Sequence, residues 1–107
     1  MTANQNRVYF NQQFRTFNSK IMTLQFSNDY KNFQKKEGQL LRKLREEKKY
    51  KSAELFAFHF GYSRNAYWRW ENGEPIHPGK FFELLKLHKL THAQFFERLD
   101  KEFPHVK

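Results

Sequence analysis

The chain has 107 residues, a net charge of +9 from 20 Lys and Arg against 11 Asp and Glu, and no cysteine. Such a length supports one core that buries roughly two-thirds of the unfolded surface, and without cysteine there is no disulfide framework, thiolate zinc site or cysteine nucleophile. The longest uninterrupted apolar run is Leu55 to Phe58, far below the ~20 residues of a membrane span, and no signal-peptide core follows Met1, so a soluble cytoplasmic protein is expected.

The positive excess points to a polyanion as partner, nucleic acid before an anionic membrane surface. It declines along the chain: residues 1–36 carry six basic groups and one acidic, 37–73 eight and five, and 74–107 six and five. With Gly 4 and Pro 3, and almost no alternation of β-branched residues, hairpin signals are missing and an all-α body is expected.

Residues 1–27 are rich in Asn and Gln yet carry Tyr9, Phe10, Phe14, Phe17 and Phe26, which a wholly disordered tail does not normally hold. They are read as an N-terminal arm to a domain at 28–107. The arm is flexible or docked on a partner, with a strand or short helix on a partner subunit as one form. A basic arm in a DNA minor groove, through Arg7, Arg15 and Lys20, is another.

Asn28 or Asp29 reads as an N-cap, and Tyr30, Phe33, Leu40, Leu41 and Leu44 mark one face of a helix that reaches about Lys48. Gly38 weakens the pattern inside it. Ser52 caps a second helix, Ala53 to Phe60, which turns Phe56, Ala57 and Phe60 inward, and Gly61 closes it in the left-handed conformation. Ser63 then caps a third helix, Arg64 to Asn72, so that a three-residue turn joins two short helices, and Gly73 ends the pair. Pro75 and Pro78 break the next loop. A fourth helix from about Gly79 to Leu87 or Lys89 is expected to bury Phe81 or Phe82, Leu84, Leu85 and Leu87. Thr91-His92-Ala93-Gln94 reads as a capping box opening a fifth helix to about Glu102, with Phe95, Phe96 and Leu99 buried before Pro104.

Tyr62, Tyr67 and Trp70 can close one core only if the chain reverses at Gly61. With Tyr67 and Trp70 inward, Arg64, Asn65, Trp68 and Arg69 face solvent, and they carry donors that match base edges. Arg pairs with guanine and Asn with adenine, each through two hydrogen bonds, in a major groove wide enough for a helix.

Gly61-Tyr62-Ser63-Arg64 and Arg69-Trp70-Glu71-Asn72-Gly73 resemble the helix-turn-helix of the lambda-repressor-like, XRE-type transcriptional regulators. The resemblance extends over about residues 36 to 98, from the leading Leu44-Arg45-Glu46-Glu47-Lys48 to the two trailing helices, with Ala57, Gly61 and Tyr67 at the family's spacing. It implies a five-helix, all-α, lambda-repressor-like DNA-binding domain with an N-terminal extension, acting as a sequence-specific regulator on double-stranded DNA. It further implies base contacts by Arg64, Asn65 and Arg69, phosphate contacts by Ser63 and Asn72, a structural role for Glu71, and a homodimer on two half-sites.

The sequence departs from that pattern in three places. Ala53 stands where the family often has a phosphate-contacting Gln, and the connector before Ser52 is slightly longer than usual. Trp68 is bulkier than the usual residue, and is read as stacking on a sugar or thymine methyl or as part of a protein interface. Lys51, with Lys48 and Lys49, and Lys80, with His77, are read as further phosphate contacts, against plain solvated residues as the alternative. The alternative function is a protein-interaction module, an antitoxin or an adaptor to the transcription machinery, using Trp68 and the aromatic arm. No cofactor, metal or catalysis is expected. Thr91, as a cap, keeps His88 and His92 off a common helix face, and no Ser-His-Asp order, phosphate-cradling glycine loop or paired catalytic carboxylates appears.

Overall fold

The computed structural model describes residues 27–104, so the arm expected at 1–27, with its aromatic residues and Arg7, Arg15 and Lys20, lies outside the described residues except for Ser27. The described residues from Asn32 onward belong to one compact unit, which holds the core and the candidate site. Among the described residues there are five helices and no strand, and none of these helices is long and apolar enough to cross a membrane. Helix α1 covers 27–47, followed by α2 (Ala53–Phe60), α3 (Arg64–Glu71), α4 (Pro78–Leu87) and α5 (His92–Glu102).

Local hydrogen bonds fix most of the ends. The side chains of Ser52, Ser63 and Thr91 accept from the backbone N–H groups of Leu55, Ala66 and Gln94, and the Thr91 N–H donates to the Gln94 side chain, completing a capping box. Gly61, at φ 78°, ends α2 in the left-handed region. Two expectations are corrected. First, α1 is already helical at Ser27, so neither Asn28 nor Asp29 caps it; both are exposed, where Asn or Asp inside a helix costs at most about 0.7 kcal/mol relative to alanine. Second, α4 begins at Pro78, whose missing N–H is harmless in a first turn, and His77 caps it by accepting from the Gly79 N–H at 3.0 Å.

One cluster unites the helices: Leu40, Leu41 and Leu44 of α1, Phe56 and Ala57 of α2, Tyr67 of α3, Leu84 and Leu85 of α4, and Phe95 and Leu99 of α5. Phe60, Tyr62, Trp70, Phe81, Leu87 and Phe96 pack around it, partly buried. The apolar face of α1 is less covered than its periodicity suggests. Tyr30 and Phe33 are both exposed, and Phe33 lies over Phe96 at 6.0 Å between ring centroids, at the edge of the cluster. Of the two adjacent phenylalanines in α4, Phe81 turns inward and Phe82 outward.

Two contacts join α1 to the C-terminal end of α3. Gly38 is buried there, and a Cβ at that position would lie 2.5 Å from the Glu71 carbonyl oxygen and 2.8 Å from that of Trp70. The missing side chain therefore lets the two helices approach, against a loss of about 1 kcal/mol in helix propensity. Beside it, Arg45 donates from Nε (2.7 Å) and NH2 (3.1 Å) to the two oxygens of Glu71, and from NH1 to the Tyr50 carbonyl at 2.8 Å. This two-pronged pair is almost wholly buried, and the hydrogen bond to Glu71 raises the guanidinium pKa above its usual value.

Candidate nucleic-acid interface

The inner face of α3 is anchored by aromatic packing. Tyr67 is fully buried and stacks on Phe56 at 4.8 Å, while Trp70 meets Tyr62 and Tyr67 edge-on at 5.6 and 6.0 Å. Burial pushes the Tyr67 phenol pKa up, and burial, followed by the Glu83 charge, pushes that of Tyr62 up to about 12. Both rings are therefore neutral packing groups at neutral pH. At roughly 100° per residue, the five positions Arg64, Trp68, Asn72, Asn65 and Arg69 fill an opposite arc of about 140°. All five are exposed.

Their local partners differ. Arg64 donates from NH1 to Oε2 of Glu54, in the first turn of α2, at 2.6 Å. Asn72 donates its side-chain nitrogen to the Trp68 carbonyl at 2.8 Å and so terminates α3. The Ser63 hydroxyl is occupied as the cap of α3, and Arg69 lies 4.0 Å from Glu74.

A cleft of about 590 Å³ opens between α1, α2 and α3, and Arg64, Asn65, Trp68 and Asn72 all line it. Arg42, Arg45, Ser52, Ala53, Glu54 and Glu71 complete its lining. A smaller groove of about 330 Å³, lined by Lys35, Gln39, Arg42, Glu71 and Asn72, is contiguous with it through the last three of these residues. Both acidic groups of the cleft, Glu54 and Glu71, are held by arginines. The surface is thus rich in donors and cations. It suits an anion or the acceptor edge of a base.

Four of the eight residues singled out from the sequence thus meet in one cleft. Ser63 and Arg69 flank it on α3 without lining it, and Lys51 is exposed immediately before Ser52. Lys80 lies apart, 3.7 Å from Glu83 with its ammonium 5.7 Å from the centre of the Tyr62 ring. Lys35, Gln39 and Arg42 were not singled out, although their spacing of four and three places them on one face of α1. Among the described residues, no group of three His, Cys, Asp or Glu is placed to hold a metal ion.

No known family, curated protein or solved structure matches the chain. The functional reading therefore rests on the site.

Proposed function

We propose that the protein is a sequence-specific regulator of transcription that binds double-stranded DNA through α2 and α3 as a helix-turn-helix, similar to the lambda-repressor-like, XRE-type regulators. One observation carries the reading: α3 buries Tyr67 beneath an outer face on which Arg64, Asn65, Trp68 and Arg69 are all exposed. A helix so fastened from behind can enter a major groove ~12 Å wide without unfolding anything. In this reading Arg64 and Arg69 address guanine and Asn65 addresses adenine. Trp68 contacts a sugar or a thymine methyl. Ser63, Asn72, Lys51, Lys80 and Arg42 serve the phosphates. One short helix spans too few base pairs to specify a site alone, so a homodimer on half-sites about one helical turn apart is part of the proposal.

Titration of the wild type and variants against duplex DNA over a range of salt concentrations tests it. Arg64→Ala and Asn65→Ala are each expected to remove ~1–3 kcal/mol of discrimination at one base pair. Lys51→Ala and Lys80→Ala are expected to weaken all duplexes alike and to flatten the log-log salt slope by about 0.9 per lost contact. Equal losses on all duplexes from Arg64→Ala and Asn65→Ala would overturn base reading by α3.

A second reading, a protein-interaction module such as an antitoxin or an adaptor to the transcription machinery, is favoured by a separate observation. Leu55 and Phe58, one turn apart on α2, are 53% and 86% exposed. Absence of duplex binding, together with self-association that Phe58→Ser abolishes, selects that reading instead.

A further inference from the structure

Glu54 and Arg64 meet across the mouth of the cleft at 2.6 Å, with side chains 62% and 66% exposed. An ion pair that open to water adds little to stability, and the preference of a helix N-terminus for an acid accounts for Glu54 in the first turn of α2 but not for its contact with Arg64. Its geometry is selective. Glu54 engages only NH1 of Arg64, which leaves the Nε and NH2 edge as a planar two-donor fork. That fork matches O6 and N7 of guanine, which carry no formal charge, so guanine is accepted with the ion pair intact. A phosphate is a different case. It brings a full negative charge beside the Glu54 carboxylate, and Arg64 must either leave Glu54 or hold two anions side by side.

We infer that Glu54 determines specificity by positioning Arg64: it orients the guanidinium and steers it off the phosphate backbone and onto guanine at one base pair. The inference rests on the proposed DNA reading of the same surface. Glu54 acts through Arg64 and is a positioning residue.

The test uses the full chain as wild type, Glu54→Ala, Arg64→Ala and the double variant. Each is titrated, over a range of salt concentrations, against a duplex selected by the wild type, the same duplex with one base pair exchanged, and random duplex. The exchanged pair is the one whose preference Arg64→Ala loses. Melting curves check that every variant folds, since both substitutions lie on an exposed surface. Glu54→Ala is expected to bind random duplex more tightly and to steepen the salt slope by about 0.9, as the released Arg64 neutralises a phosphate. It is also expected to lose roughly tenfold of the preference at the exchanged pair. In the Arg64→Ala background, Glu54→Ala should change neither the salt slope nor the preference at the exchanged pair.

Equal effects of Glu54→Ala on all three duplexes, or effects that persist undiminished without Arg64, overturn the inference while leaving the DNA reading intact. A wild-type preference that Arg64→Ala does not touch overturns it as well. A wild type with no preference among duplexes overturns the DNA reading and the inference together.

Discussion

On the inner side of α3, Arg45 and Glu71 meet at 2.7 Å with both side chains 5% exposed; on the outer side, Arg64 and Glu54 meet at 2.6 Å while largely open to water. The chemistry is the same and the consequences are not. Removing one member of the inner pair strands a charge among packed helices, whereas removing one member of the outer pair leaves a charge that water solvates at once. Burial, rather than pairing, decides whether such a pair holds the fold together or conditions what its surface binds.

The largest expected effect follows directly. Glu71→Ala leaves Arg45 buried and unpaired and should destabilise the fold by about 3–5 kcal/mol in denaturant unfolding. The double change Arg45→Met with Glu71→Leu should cost much less, because no uncompensated charge remains. Equal losses in the two proteins would show that packing, not charge, dominates the inner face.

The second effect is a pH dependence from two partly buried groups elsewhere in the fold. His88 stacks on Phe56 at 5.6 Å, and burial first, then the Lys48 charge, draws its pKa from 6.5 down to about 4. Between these values the unfolded chain binds more protons than the native one, so this residue lowers stability as pH falls from 6.5 to 4. Glu37 works in the opposite sense: burial raises its pKa from 4.5 to about 7, so it lowers stability as pH rises through that interval. The two overlap, and the difference between wild type and His88→Phe separates them. The wild type should lose on the order of 2 kcal/mol relative to the variant on going from pH 7 to pH 4. Parallel pH profiles for the two proteins would remove the titration from His88.

Two glycines, one inside α1 and one in the turn between α2 and α3, provide a third contrast. Gly38→Ala drives a Cβ into the backbone of α3 and should cost about 1–3 kcal/mol. Gly61→Ala meets nothing within 4 Å and carries only the strain of its left-handed φ, about 1 kcal/mol. Thermal melting ranks them, and a milder Gly38→Ala would mean that α1 and α3 can separate without penalty. Smallest of all, Arg64→Ala and Glu54→Ala should each alter stability by no more than about 0.5 kcal/mol.

The sequence carried what is local. Ser52, Ser63 and the Thr91–Gln94 box act within four residues of themselves, so the helix boundaries they set were readable, as were the inward positions of Phe56, Tyr67, Leu84, Leu85, Phe95 and Leu99. Periodicity tells which side of a helix is apolar, but not how far its neighbours reach over it, which is why the exposure of Phe33 and Phe82 was not legible. Contacts between distant segments were equally hidden. Gly38 reads in isolation as a weak point in α1 and gains its purpose only from the carbonyls of α3. The outward position of Arg64, Asn65 and Trp68 followed from Tyr67 and Trp70 alone. The pairing of Arg64 with Glu54, and the flank of Lys35, Gln39 and Arg42, required the three helices to be assembled.

Selection of duplexes from a random pool by the purified full-length protein tests base reading by α3 most directly. Enrichment of a short motif, present twice per bound duplex and lost with Arg64→Ala, is the expected result. A pool that stays random while the protein still binds with steep salt dependence would contradict it, leaving a basic surface that coats DNA without reading it.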